Sequence, residues 1–304
     1  MTKPLVIYHK NCADGFGAAW AAYKRFGEEG AEYLPMGYND PRVKLTSTGF
    51  EFPAELEGRD VYILDFSFKP DITEAIFNTA SFLFWRDHHK TAFEDNGHDP
   101  NEAWGYVSGK ADILLDPHKS GCVLAWELIH PEKPTPTFLR LIQDRDLWKW
   151  EMNGTRDFAV SLRSKELSFK NFDYANDCFA LMIKEGEAMN KLFDQQLIDI
   201  TARPLVTSLF TDVGGAAGLS VNCTSQFASE AGNILAQKSG TFGMTWCMGE
   251  QGIVFVALRS VGDYDVTKIA RVYGGGGHKN AAGFKTHISC FNFDAEGQLF
   301  LTKE

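Results

Sequence analysis

The apolar residues of this chain fall in two rhythms. Leu5-Val6-Ile7-Tyr8, Asp60-Val61-Tyr62-Ile63-Leu64 and Ser81 to Trp85 are short near-continuous runs, the signature of strands buried on both faces. Longer amphipathic stretches separate them or follow. Gly17 to Phe26 reads as a helix. So does Cys122 to Ile129, opened by Lys119-Ser120-Gly121 with Ser120 as its N-cap. After Pro131, Pro134 and Pro136, a further helix is predicted from Phe138 to Leu147. Strands alternating with helices in this way predict an α/β fold with a parallel sheet.

The texture changes further on. A long helix is predicted from about Asn176 to Ala202 and is ended by Arg203-Pro204. Beyond it Gly214-Gly215, Gly218, Gly232 and Gly240 punctuate short apolar runs. Gly252 to Leu258 is the clearest strand there, and Val266 to Val272 reads as a short helix. The expected organisation is an N-terminal parallel-sheet domain over 1–190 and a linker at 191–205 made by the end of the long helix. A smaller mixed α/β domain follows over 206–304.

Composition narrows the function classes. A chain of 304 residues can bury two cores, and 44% hydrophobic with 23% charged residues excludes disordered, collagenous and coiled-coil classes. Thirty Lys+Arg against 40 Asp+Glu give a net charge of −10, which argues against gripping long duplex nucleic acid. Leu5 to Tyr8 is too short for a secretory core, and no apolar run approaches the ~18 residues of a membrane span. A cytoplasmic protein without a membrane partner is expected. The six cysteines show no CxxC pairing and read as reduced thiols, mostly core filler. His98, His118, His130 and His287 lack ligand-like company and are expected at the surface.

Chemistry enters at the strand ends. His9 and Asp14 follow the first strand, Asp65 the second, and Asp87-His88-His89 the third. In an open parallel sheet the carboxyl ends of the strands surround one crevice, so these residues are expected to converge. A lone Asp after a strand is ordinarily a helix cap or turn former. Three such ends in one domain instead suit a divalent ion, Mn²⁺ in particular, or two ions sharing a carboxylate.

The run Gly274 to Gly277, with His278, Lys279 and Asn280, is the second candidate. Glycine lets backbone N–H groups approach an anion, whereas in isolation such a run is a flexible linker. From Ala257 to Lys285 the cations Arg259, Lys268, Arg271, Lys279 and Lys285 face only Asp263 and Asp265, a basic island in an acidic protein. Arg259, at the end of the best strand, is placed to clamp a phosphate. Trp148 and Trp150 are read as helix packing, and Asn222 as a turn or capping residue.

These motifs resemble a known family. Asp87-His88-His89 behind an apolar strand, the segment His9-Lys10-Asn11-Cys12-Ala13-Asp14-Gly15 and the lone Asp65 between them are similar to the DHH phosphoesterase superfamily. Gly274-Gly275-Gly276-Gly277-His278-Lys279-Asn280-Ala281-Ala282-Gly283 resembles the DHHA1 domain that follows it in many members. The subgroup resembled includes short-oligoribonucleotide and cyclic-nucleotide phosphodiesterases.

The resemblance implies roles. His9 and Asp14 match ligands of the first motif, Asp65 the bridging ligand of two Mn²⁺ ions, and His88 a ligand of the second ion. His89 matches the histidine that acts on the leaving oxygen or attacking water, with Asp87 beside it. Asp144 is preferred to Asp146 as the fourth-motif ligand. Arg259, Gly275, Gly276, Gly277, His278 and Asn280 are expected to bind substrate, on the charge and glycine chemistry above.

One position departs from the pattern, because Cys12 stands where the family carries a carboxylate. Cys12 is a softer ligand favouring zinc, or a spectator, or the mark of a lost ion. The expected function is a Mn²⁺-dependent phosphodiesterase acting on short oligonucleotides, linear dinucleotides or cyclic nucleotides between two domains, with Co²⁺, Mg²⁺ or Zn²⁺ as other ions. The rivals are a pyrophosphatase-type phosphoanhydride hydrolase and a nucleotide-binding protein impaired in catalysis.

Overall fold

Alternation along the inner strands of the N-terminal half feeds two separate cores. Val6 and Tyr8 point into one and Leu5 and Ile7 into the other, so the sheet is covered on both faces. The computed structural model describes residues 2–38, 40–46, 49–211 and 214–302. Two compact units, Met1–Asn190 and Lys191–Glu304, divide the chain.

The first unit contains β1 (Leu5–His9), α1 (Ala13–Phe26), β2 (Glu32–Met36), β3 (Lys44–Thr46), β4 (Gly49–Glu51) and β5 (Asp60–Leu64). It continues with α2 (Pro70–Thr79), β6 (Phe82–Asp87), α3 (Lys90–Asp95), β7 (Trp104–Val107) and β8 (Ala111–Leu115). Helices α4 (Gly121–Ile129), α5 (Thr137–Asp146), α6 (Thr155–Arg163) and α7 (Phe169–Ile200) follow. Six strands form one sheet in the order β2-β1-β5-β6-β8-β7, parallel throughout except for β7.

Helices on opposite faces explain the two cores. Trp20 of α1 and Cys122, Val123, Ala125 and Trp126 of α4 pack on one side, together with Phe138 and Leu141 of α5. Ile76 of α2 and Phe93 of α3 pack on the other. The long helix α7 begins earlier than the sequence suggests and is interrupted at Cys178 (φ −126°).

The second unit holds β9 (Leu205–Thr211), β10 (Gly214–Asn222), α8 (Ala228–Ser239), β11 (Phe242–Met248), β12 (Ile253–Ser260) and α9 (Thr267–Val272). β13 (Gly276–His278), β14 (Ala281–His287), β15 (Phe291–Phe293) and β16 (Leu299–Leu301) complete it. These strands make a mixed eight-stranded sheet, β13-β14-β12-β11-β10-β9-β16-β15. Its core gathers Phe242, Met244, Val256 and Leu258 with Ile269 and Ala270 of α9. Residues of α7 past Asn190 belong to this unit, where Phe193 and Leu197 pack on Phe227 and Leu235. Among the described residues no helix is long and apolar enough to cross a membrane.

His130 does not lie at the surface as the sequence suggested. It is buried, its Nε2–H donates to the Ala21 carbonyl at 2.9 Å, and its ring packs on Trp126 at 4.2 Å. An apolar neighbourhood contributed by distant residues gives no local signal.

Candidate metal centre

Three adjacent strands deliver polar residues to one edge of the first sheet. β1 ends in His9, β5 is followed at once by Asp65, and β6 ends in Asp87 with His88 and His89 next. β1 leads to β2 on one side and has β5 on the other, so the winding of the sheet reverses here. Such a switch point is where open α/β sheets bind ligands.

Asp65 is the most constrained of these residues. It is fully buried, and its backbone takes the left-handed conformation (φ +55°). Its N–H donates to the Arg86 carbonyl at 2.9 Å, but neither carboxylate oxygen accepts a hydrogen bond from the described residues. His88 Nε2 stands 3.2 Å from Oδ1 and His9 Nδ1 3.7 Å from Oδ2, close but without hydrogen-bond alignment. Burial, reinforced by the charge of Asp14, pushes the Asp65 carboxyl well above the usual carboxylate range. Gly121 makes room for it, since a Cβ there would lie 2.3 Å from Cβ of Asp65 and 2.4 Å from its Oδ1.

Around Asp65 the ligating atoms form overlapping groups, each within 4.8 Å: His9, Cys12 and Asp65; Asp14, His88 and Asp146; Asp65, Asp87, His88 and His89. Burial lowers the His9 pKa to about 4, with His89 adding to the effect, so its ring is neutral near pH 7. Its Nδ1 is buried without a hydrogen-bond partner. Burial and the charge of Asp65 hold the Cys12 thiol well above its usual pKa.

Asp14 has two tasks. Its Oδ2 accepts from the Gly121 N–H at 2.7 Å and its Oδ1 from the Cys122 N–H at 3.0 Å, which caps α4. Ser120 occupies the N-cap position, yet its hydroxyl makes no cap bond and contacts Cys122 Sγ at 3.4 Å. His88 Nε2 lies 3.6 Å from Asp14 Oδ2. Burial works against ionisation of Asp14, but His88 and these hydrogen bonds outweigh it and depress its pKa.

Asp87 serves the histidines. Its Oδ1 accepts from the backbone N–H groups of His88 (2.7 Å) and His89 (3.2 Å) and from His89 Nδ1 (2.7 Å). The Ser67 hydroxyl donates to Oδ2. Despite burial, these partners, His89 first, keep Asp87 ionised far below the usual range. Burial lowers the His89 pKa, but Asp87 more than offsets it and the net shift is upward.

The sequence favours Asp144 over Asp146, but the structure brings Asp146 and not Asp144 into the cluster. The Asp144 carboxylate accepts from Glu151 N–H (2.9 Å), Met152 N–H (3.1 Å) and Thr155 Oγ1 (2.5 Å), fastening the turn after α5. Asp146, the last residue of α5, sets Oδ2 3.5 Å from His88 Nε2. Burial and Asp14 raise its pKa. Trp148 and Trp150 are not helix-packing residues either. Both follow α5 with left-handed backbones (φ +57° and +58°), and the Arg145 guanidinium lies 4.8 and 5.6 Å from their ring centroids.

In the second unit the glycine run is ordered. Gly276–His278 form β13 at the edge of the sheet, exposed and paired with β14. Gly275 must be glycine because a Cβ would meet the Gly283 carbonyl oxygen at 2.1 Å. Asn280 has a structural use, donating from Nδ2 to Ser260 Oγ at 2.9 Å and to the Gly262 carbonyl at 3.1 Å, which holds the turn after β12. Arg259 donates to Ser229 Oγ at 2.9 Å and to the Leu258 carbonyl at 2.8 Å, and it is half-buried rather than a free surface cation. The basic island is partly neutralised, Lys279 pairing with Asp263 at 2.7 Å.

Two residues at the centre escape the sequence reading. Ser67, two positions after Asp65, steadies Asp87. Tyr38 packs its ring 5.4 Å from His9, 6.2 Å from His89 and 4.9 Å from Phe66, with 48% of the residue exposed. Nothing in the local sequence marks either residue.

The donor chemistry fits divalent cations. A fully buried carboxylate with both oxygens lacking hydrogen bonds, a neutral imidazole lone pair and three further acids in one cluster are unfavourable together unless positive charge joins them.

The chain is 31% identical to the uncharacterized protein R106 of Acanthamoeba polyphaga mimivirus, over 95% of this chain and 69% of that protein. It is 28% identical to the oligoribonuclease NrnB of Bacillus subtilis, over 91% of this chain and 71% of NrnB. The pGpG-specific phosphodiesterase PggH of Vibrio cholerae is 13% identical with a TM-score of 0.44, the match covering 95% of this chain and 94% of that one. No family model matches the chain. The site has the ligand chemistry of a metal-dependent phosphoesterase. The chain belongs to the DHH/DHHA1 superfamily.

Proposed function

We propose that the protein is a Mn²⁺-dependent phosphodiesterase that cleaves short oligonucleotides, linear dinucleotides or cyclic nucleotides. The observation that carries this reading is Asp65, whose two buried and unbonded carboxylate oxygens lie between two ligand groups, His9 with Cys12 and Asp14 with His88 and Asp146. Asp65 would help to hold both ions, one with His9 and Cys12 and the other with Asp14, His88 and Asp146. When bound, the ions acidify water and offset charge on the phosphoryl oxygens.

The chain's own residues do the rest. Asp87 accepts from His89 Nδ1–H, which fixes the tautomer and directs Nε2 to proton exchange with the attacking water or the leaving oxygen. Ser67 and the backbone N–H groups of His88 and His89 keep Asp87 ionised, so it can steady an imidazolium. Asp14, anchored on α4, keeps a charged oxygen beside His88. In the second unit the exposed edge of β13, with Gly275, Gly276, Gly277 and His278, is assigned to the substrate's anionic end. Arg259, held by Ser229 and the Leu258 carbonyl, is assigned to the same end of the substrate. NrnB, an oligoribonuclease by name, supports a short oligonucleotide substrate.

Hydrolysis of bis-p-nitrophenyl phosphate and of a linear diadenylate dinucleotide with Mn²⁺ tests the reading, with Asp65→Ala and His89→Ala alongside wild type. Loss of turnover in both variants is expected. Full activity in Asp65→Ala contradicts a bridging role. Phosphate release from pyrophosphate outpacing diester cleavage would make the protein a phosphoanhydride hydrolase instead.

A further inference from the structure

The two ligand groups that flank Asp65 differ in softness. Asp14, His88 and Asp146 offer oxygen and nitrogen only, whereas the other group joins the sulfur of Cys12 to His9 and Asp65. The turn between β1 and α1 places that sulfur. Asn11 is left-handed (φ +58°), and Cys12 then takes the extended N-cap conformation (φ −129°, ψ 137°) without making a side-chain cap bond. A cysteine is a poor helix cap, so helix capping does not account for it there. The site does not rest on the cysteine alone. The fully buried Asp65 oxygens and His9 Nδ1 lack hydrogen bonds in the same group of ligating atoms.

We propose that Cys12 is a thiolate ligand, with His9 and Asp65, of one ion of the pair, which makes this half of the centre selective for Zn²⁺ or Co²⁺ over Mn²⁺. The inference rests on the two-ion reading given above and refines it. Binding breaks the S–H bond, forms a sulfur–metal bond and releases the proton to solvent. Thiolate favours borderline and soft ions, and imidazole suits the same ions, whereas Mn²⁺ and Mg²⁺ prefer all-oxygen surroundings. The other half, with two carboxylates and no sulfur, is the harder site and suits Mn²⁺ better. The protein is thus a mixed-metal enzyme in which the softer position is set by one residue.

The test is Co²⁺ titration of the metal-free full chain, followed by absorption. Wild type is expected to show visible d–d bands together with a near-ultraviolet sulfur-to-cobalt charge-transfer band. Cys12→Ser, nearly isosteric, should keep d–d bands and lose the charge-transfer band. Cys247→Ser, a half-buried thiol of the second unit, should keep both. Cys12→Asp should lower the Zn²⁺/Mn²⁺ affinity ratio by at least about 10-fold in competition titrations. Metal should also protect Cys12 in wild type from alkylation, read by peptide mass spectrometry. Bound Co²⁺ with d–d bands but no charge-transfer band in wild type overturns the role of Cys12 and leaves the two-ion centre standing. Absence of any Co²⁺ binding overturns both.

Discussion

Asp87 Oδ1 lies 2.7 Å from His89 Nδ1 and also accepts the backbone N–H groups of His88 and His89, so one oxygen sets both the position and the tautomer of the histidine. A carboxamide at that position keeps the shape but loses the charge and can turn its NH₂ toward the ring. Asp87→Asn is therefore expected to lower kcat by about 10²- to 10⁴-fold, the usual contribution of a general acid or base, with a smaller change in KM. His89→Ala should fall in the same range, and the double variant little further. Additive losses in steady-state kinetics would show that the two residues do not act as a unit.

Gly121 is fixed by what it faces. Its missing Cβ would stand 2.3 Å from Cβ of Asp65, and neither backbone nor buried carboxylate has room to yield. Gly121→Ala should cost about 1–3 kcal/mol in thermal or denaturant unfolding. It should also weaken divalent-ion binding by calorimetry, because Asp65 is the atom group displaced. Unchanged affinity would place Asp65 outside the ion-binding set.

Asp144 and Asp146 are two residues apart and do opposite things. Asp144→Ala leaves buried Thr155 and two backbone N–H groups unpaired and should destabilise the fold by about 1–3 kcal/mol while preserving metal stoichiometry. Asp146→Ala removes a carboxylate held beside Asp14 and His88. It should cost little stability in chelator and should weaken one metal site. Unfolding and metal-binding curves of the two variants separate these roles.

The sequence and structure agree where chemistry is local. β1, β5 and β6 are legible because strands covered on both faces must be apolar throughout, and the polar residues that end them mark the sheet edge. β2 is not legible, since Glu32 and Pro35 break its pattern, and with it goes Tyr38. The choice between Asp144 and Asp146 depends on where the helix α5 stops and which way the next turn goes, which composition does not encode. The capping of α4 by Asp14 joins residues more than a hundred positions apart. β13 reads as a loop because glycine has no strand propensity, and only pairing with β14 makes it a strand.

His130 offers a pH test away from the centre. Burial depresses its pKa below the ordinary value of 6.5, so the unfolded chain takes up a proton that the folded one resists. Its contribution is therefore fully present above about pH 6.5 and is lost as pH falls below that, toward the folded pKa. His130→Gln removes the titration and should flatten the decline of Tm between about pH 7.5 and pH 5.5, one pH unit either side of the free histidine value. Parallel wild-type and variant curves would remove His130 from the acid response.

In the proposed function Asp65 helps to hold both ions and is kept in the metal-free fold at a cost. Thermal unfolding of wild type and Asp65→Asn, each in chelator and in Mn²⁺, tests this role most directly. Asn tolerates the left-handed backbone, keeps the shape and lacks the charge, exchanging one buried oxygen for an NH₂ donor. Asp65→Asn is expected to melt above wild type in chelator, by about 2–4 °C for each kcal/mol of relieved burial and repulsion. Mn²⁺ should raise the wild-type Tm and leave the variant nearly unmoved. A variant that melts lower in chelator and gains as much from Mn²⁺ as wild type would contradict that role.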